Sequence, residues 1–264
     1  MTSITDSDLA QLHEDGVVCL RQVLSHDWID RIAVGVEQTD AEGSDASLIL
    51  SMKDRGFLQD FFMWTWNEEF RAIVFDSPMQ DLAREVLGSG PVAHWYDQLF
   101  VKEPGADVST PWHHDLTFWP IAGEKIVSFW IPVDPVTTES SGLRYVRGSH
   151  RWSNRYKAVT PDYNSHMIDP ALEDMPDIDA DPDAFDLLEW EMEPGDVLAF
   201  HPLVVHGSQG NGSSSVRRRA LASRWVGDDV VFAPKRHTMP LPQGHGLEPG
   251  DRLSGPLFPV FLSS

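Results

Sequence analysis

Cysteine is almost missing from this chain. Cys19 stands alone among 264 residues, so no disulfide can form within it. The opening Met1-Thr2-Ser3-Ile4-Thr5-Asp6 has neither a basic segment nor an apolar stretch, which reads against a secretory leader. No apolar run approaches the roughly 20 residues that a membrane-spanning helix requires. Cations are scarce as well: 20 Lys and Arg stand against 41 Asp and Glu, a formal net charge of −21, and such a surface repels nucleic acid and anionic membranes. Together these shortages fit a cytoplasmic protein of a reducing compartment with no nucleic-acid or membrane partner, and the charge alone does not identify a substrate. They leave its oligomeric state open.

What the chain does have is apolar and aromatic material. Hydrophobic residues make up 41% and Trp occurs 10 times, enough for one sizeable core in a chain of this length. Thr5 to His13 has a capping-type start with Gly16 as its stop, and Val17 to Leu20 reads as a strand. Ser25 can cap a helix whose stripe is Trp28, Ile29, Ile32, Ala33 and Val36, and Asp40 to Ser47 is a polar connection. Asn67 can cap a helix through Val74, and Asp76-Ser77-Pro78 opens another that ends at Gly88. From Pro91 onward, β-rich segments alternate with Pro/Gly turns, broken by an irregular Asp/Pro-rich excursion from Thr160 to Ala184. The expectation is one domain over 1–264: N-terminal helices at about 5–90, a β core at about 91–235 and a tail at 236–264. Much of the acidic surplus falls between Asp169 and Glu193, which reads as a solvated insertion between strands rather than a metal-binding loop.

The chemistry is carried by Pro111-Trp112-His113-His114-Asp115 and, far downstream, His206. In an extended strand residues i and i+2 share a face, so His113 and Asp115 can reach one metal while His114 points elsewhere. Asp196 to His206 reads as a buried strand after the Pro194-Gly195 turn, delivering a second imidazole. Two imidazoles and one carboxylate on one side of a metal suit a non-haem Fe(II) centre that must also bind a cosubstrate and O₂. Arg217, Arg218 and Arg219 open a further strand. An arginine turned into an apolar barrel needs an anion, and the far carboxylate of 2-oxoglutarate fits its planar fork. A cupin-like metal-binding protein or a Zn(II) hydrolase could use the same three ligands but has no need of that guanidinium.

Several elements, in this order, resemble the phytanoyl-CoA dioxygenase family of Fe(II)/2-oxoglutarate-dependent oxygenases. They are Leu99 to Gly105, Trp112 to Leu116, Gly142 to Arg151, Pro194-Gly195-Asp196, His206-Gly207-Ser208 with Asn211, and Arg217 to Leu221. The resemblance covers about half of the chain and implies a mainly β fold with flanking helices, built on a double-stranded β-helix of the jelly-roll or cupin-like kind. It implies His113, Asp115 and His206 as iron ligands. It also places Gln98, Trp130 and Ser208 beside the cosubstrate, although Trp130 could equally be a core aromatic. The implied reaction couples decarboxylation of 2-oxoglutarate, to succinate and CO₂, with oxidation of a substrate C–H bond. Because Asp115 is present, hydroxylation is expected rather than halogenation.

The arginine for 2-oxoglutarate is set by alternation. The family's interval counted from His206 lands on Arg217; counted back from Ala220-Leu221 it lands on Arg218. Small Ala220 and Ala222 share the face of Arg218, leaving room beside a cosubstrate, so Arg218 is chosen and Arg217 stands second. Leu50 to Phe57 and Phe61 to Trp66 form an aromatic candidate for a lid over the barrel mouth or for simple core cover. With no dense basic patch for CoA phosphates, a small metabolite or natural-product intermediate is the expected substrate.

Overall fold

The computed structural model describes residues 4–42, 52–88, 90–158 and 168–262. Thr5 closes a capping box with Asp8 and starts helix α1 (Asp6–Asp15), which Gly16 ends at a φ of 84°. Strand β1 (Val17–Leu20) leads to helix α2 (His26–Glu42), then β2 (Met52–Asp54) and β3 (Phe57–Phe61). The Asn67 side chain accepts from the backbone N–H groups of Glu69 and Phe70 and starts α3 (Glu68–Phe75); α4 (Met79–Leu87) follows. The barrel strands are β4 (Val92–Lys102), β5 (Thr110–His113), β6 (Ile121–Ala122), β7 (Ile126–Pro132), β8 (Arg144–Val146) and β9 (Leu187–Leu188). They continue with β10 (Val197–Phe200), β11 (His206–Ser208), β12 (Arg218–Val226), β13 (Val231–Phe232) and β14 (Val260–Phe261).

The large antiparallel sheet runs β1-β10-β7-β12-β4-β3-β2, with β14 also on β4; the smaller one runs β5-β11-β8-β9. One face of the large sheet offers Leu99, Val101, Phe129, Leu221 and Trp225 to the helices, where Ile29, Ile32, Val36 and Phe70 close the outer core. Its other face offers Trp130, Leu198, Phe200, Ala220 and Ala222 to Tyr145 of the small sheet. That two-sided burial explains why these strands read as unbroken apolar runs. The chain is thus mainly β with flanking helices around a double-stranded β-helix core. Among the described residues no helix is long and apolar enough to cross a membrane.

Two sequence expectations change, and a third, left open between lid and core cover, is answered. The Asp196–His206 strand is broken into β10 and β11. Pro202 has no N–H to give a ladder, and the chain turns there, with Val204 N donating to His201 O and Leu203 N to His201 Nδ1, so β10 pairs in the large sheet and β11 in the small one. The polar connection begins later, because Asp40 to Glu42 extend α2; 43–51 lie outside the described residues. The aromatic lid candidate is mostly sheet and core. Phe57 to Phe61 is a strand paired with β4, and Met63 and Trp64 are buried under the helices, while Leu50 and Ser51 lie outside the described residues. Of the irregular excursion, 168–184 are turns ending in a short 3-10 segment, Pro182–Ala184, and 159–167 lie outside the described residues.

The tail is fastened to the barrel. Phe258 is fully buried and stacks on Trp95 with ring centroids 5.2 Å apart, and His94 N donates to Pro259 O. Phe258→Ala is therefore expected to cost about 3–5 kcal/mol, read as a lower urea midpoint with an unchanged m-value.

Candidate metal centre

His113 and His206 are direct cross-strand partners where β5 and β11 pair. Close approach is possible because Gly207 follows: a Cβ there would come within 3.0 Å of Thr110 O and 3.2 Å of Trp112 N. β5 ends at His113, so Asp115 returns to the same point through a turn rather than by strand alternation. Phe118 N donates to Asp115 O, and Leu116 N to Pro202 O, which fixes that turn. The result places Asp115 Oδ1 3.4 Å from His113 Nε2 and 4.0 Å from His206 Nε2. Among the described residues these three form the one His/Cys/Asp/Glu group whose donor atoms converge, all within 4.8 Å of one another.

Both imidazoles are held by the opposite nitrogen. His113 Nδ1 lies 2.8 Å from Pro111 O and His206 Nδ1 3.0 Å from Val204 O. As donors to those carbonyls, they leave each Nε2 with a lone pair aimed at the cluster. Burial, with His113 alongside, pushes His206 down to about 3, keeping it neutral. Burial alone would raise the Asp115 carboxyl, but Arg224, His113 and His206 together hold it well below the carboxylate range. Two imidazole nitrogens and an ionised oxygen at one edge of a cavity fit a divalent iron with positions open on the cavity side. His114 points away as expected and accepts from Tyr156 N through Nε2, although its ring still borders the cavity.

The cavity holds about 100 Å³ and is walled by apolar rings and inward residues of β4 and β12. Arg218 is 2% exposed, with Nε unpartnered and the guanidinium 5.7 Å from the Trp130 ring. Its neighbours face outward: Arg217 is paired with Glu37, Asp40 and Glu103, and Arg219 with Asp134 and Glu37. Ser208 Oγ accepts from Lys102 Nζ at 2.9 Å. Gln98 lies further along β4, its Oε1 accepting from Arg224 Nη2 at 2.9 Å. Arg218, Trp130, Ser208 and Gln98 thus all line the cavity.

Two site residues escaped the sequence reading. Lys102 is fully buried and, among the described residues, donates only to Ser141 Oγ, Ser208 Oγ and Gln209 O. Desolvation, then Arg218 beside it, pushes its ammonium down to about 6. Arg224 is the second; it too is buried and reaches the metal cluster. The signal for both was alternation, since Lys102 follows Gln98 and Phe100 on one face of β4, and Arg224 follows Arg218 by an even interval on β12.

Facing antiparallel sheets, two imidazoles and a carboxylate at one mouth, and buried cations beside them define the class: a non-haem iron, 2-oxoglutarate-dependent oxygenase, which also uses O₂. The chain belongs to the phytanoyl-CoA dioxygenase family, whose model matches residues 12–220. The multifunctional dioxygenase ausE of Aspergillus calidoustus is 29% identical over 174 residues, 60% of this chain and 51% of that one, so the match spans about half of that relative. The non-haem α-ketoglutarate-dependent carbocyclase SnoK from nogalamycin biosynthesis superposes with a TM-score of 0.75 at 24% identity, covering 97% of this chain and 96% of that one. The epimerase SnoN, solved with Fe³⁺, α-ketoglutarate and nogalamycin RO, gives a TM-score of 0.75 at 18% identity, with 97% of each chain covered. The shared fold is what these two similarities establish.

Lys102 and Arg218 lack any carboxylate partner among the described residues, so an anion bound there would supply the missing charge. A carboxylate there raises the Lys102 ammonium, so binding takes up a proton whenever the pH lies above about 6. The apparent 2-oxoglutarate dissociation constant should therefore rise above that pH, by up to about tenfold per pH unit. Calorimetric titrations across pH 6 to 8.5 check this, and Lys102→Met should weaken binding and flatten the profile.

Proposed function

We propose that this protein is an Fe(II)- and 2-oxoglutarate-dependent hydroxylase of a small metabolite or natural-product intermediate. The observation that carries the reading is the convergence of His113, Asp115 and His206 within 4.8 Å, at the edge of a cavity that is also lined by Arg218 and by Ser208, which accepts from the buried Lys102. In this reading His113 Nε2, Asp115 Oδ1 and His206 Nε2 hold the iron. Arg218 and Lys102 grip the far carboxylate of 2-oxoglutarate, with Ser208 completing the cradle and Trp130 forming its wall. Bound iron supplies the redox chemistry that couples cosubstrate decarboxylation to substrate oxidation.

The chain's own contribution is orientation and exclusion of water. The Nδ1 contacts to Pro111 and Val204 fix both rings before anything binds. Phe100, Leu143 and Phe200 wall the cavity with apolar surface, so a C–H bond held there meets few competing hydrogen-bond partners. Asp115 fills the position that a halogenase would leave open, which favours hydroxylation. SnoK and SnoN are named a carbocyclase and an epimerase, so the outcome is read from this chain's site and not from its fold. A Zn(II) hydrolase would leave the Lys102–Arg218 pair without purpose. A cytoplasmic setting, which keeps iron ferrous and Cys19 reduced, suits the activity.

Anaerobic addition of Fe(II) and 2-oxoglutarate should produce a weak visible charge-transfer band. His113→Ala and His206→Ala should each abolish it together with succinate formation, while His114→Ala keeps most of both. Loss of the band on changing His114, with His113 dispensable, would reverse the ligand assignment. Asp115→Gly should end hydroxylation while two imidazoles still bind some metal.

A further inference from the structure

The cavity contains a second buried guanidinium that neither the iron ligands nor the proposed cosubstrate cradle uses. Arg224 is 3% exposed and lies against the faces of Tyr96, at 4.4 Å, and Trp119, at 5.5 Å. Those rings are locked together, because Trp119 Nε1 donates to Tyr96 Oη at 2.8 Å. Of the three guanidinium nitrogens, Nη2 donates to Gln98 Oε1, while Nε and Nη1 are buried with no hydrogen-bond partner among the described residues. Nε stands 3.7 Å from Asp115 Oδ2, too far for a hydrogen bond, and that oxygen is itself unpartnered. Arg224 therefore biases Asp115 electrostatically but does not clamp it in the bidentate manner typical of an arginine–carboxylate pair. A desolvated cation with two unused donor nitrogens is costly unless a ligand completes it.

Charge points the same way. The two charges of Fe(II) and the two of 2-oxoglutarate offset each other, and Asp115 offsets one protein cation. With Arg218 and Lys102 already committed to the cosubstrate, the loaded pocket still carries excess positive charge, and Arg224 is the other guanidinium lining the cavity. Around it the walls are aromatic: Phe61 and Phe118 border the cavity beside Tyr96.

We propose that Arg224 binds the carboxylate of the substrate, which makes this protein's substrates small aromatic or alicyclic monocarboxylic acids. Only the width of the Asp115 carboxylate plus 3.7 Å separates the guanidinium from the metal-facing oxygen, so the oxidised carbon lies within a few bonds of the acid group. The assignment rests on the iron and 2-oxoglutarate reading of the same cavity, and the experiment separates the two. Anaerobic protein loaded with Fe(II) and 2-oxoglutarate is titrated calorimetrically with benzoate, cinnamate and cyclohexanecarboxylate, each beside its methyl ester. Acids should bind at least tenfold more tightly than their esters. Arg224→Gln should bring each pair to within about twofold, Arg224→Lys should keep part of the preference, and the charge-transfer band should form in all three proteins. Absence of acid binding, equal binding of acid and ester, or a preference that survives in Arg224→Gln overturns the assignment. So does loss of the band in Arg224→Gln, which would make Arg224 a positioning residue for Asp115. Absence of the band in the parent protein overturns the cofactor reading instead.

Discussion

The pairing of β12 with β4 is the interaction on which the rest of this structure depends. It runs from Arg218 opposite Lys102 to Val226 opposite Ala93, with one register shift between Arg224 and Trp225, and up to that shift it locks the parity of both strands. With that parity fixed, Leu221 and Trp225 must face the helices, while Arg218, Ala222 and Arg224 must face the cavity. A slip of one residue would turn Arg217 and Arg219 inward and Leu221 toward the interior of the barrel, exchanging a hydrophobic layer for charge. The outer core therefore holds the site's cations in place. The ion pairs of Arg217 and Arg219 with Glu37, Glu103 and Asp134 secure the same register from outside.

The metal cluster depends on a different constraint, namely backbone carbonyls that accept from imidazole rings. Val204 offers its oxygen to His206 Nδ1 where the chain passes from β10 in one sheet to β11 in the other, and Pro111 offers its oxygen to His113 Nδ1 from within β5. The backbone thus fixes the two tautomers without recruiting further side chains. The bulge between His206 and Ser208 belongs to the same economy, since it aims His206 at the cluster and Ser208 at Lys102.

Much of this was legible in the chain itself. Period-two reasoning identified the inward face of β12 and chose Arg218 over its neighbours, and caps at Thr5, Asn67 and Gly88 marked helix ends within a residue or so. The three donors were readable because the H-x-D element and His206 are rare pairings of residue type. The route by which Asp115 arrives was not, because β5 ends at His113 and a hydrogen-bonded turn does what a strand was expected to do. Pro202 carried a warning of the β10–β11 break that the apolar run around it masked. Lys102 closes an apolar strand, where a lysine ordinarily runs its stem outward to water; only the barrel's closure keeps it inside. Arg224 acquires meaning from Asp115, a neighbour more than a hundred residues away in sequence, and no local pattern reports such a meeting.

Buried basic groups with incomplete pairing also tie the lifetime of this protein to its diet. The folded chain confines Lys102, Arg218 and Arg224 where the unfolded chain would leave them hydrated, so each anion that settles beside them returns free energy to the folded state alone. A cell poor in 2-oxoglutarate would hold this protein nearer its unfolding threshold, more open to proteases, and a cell rich in it would shelter the same chain. Abundance would then follow central carbon metabolism without any regulator binding elsewhere on the molecule.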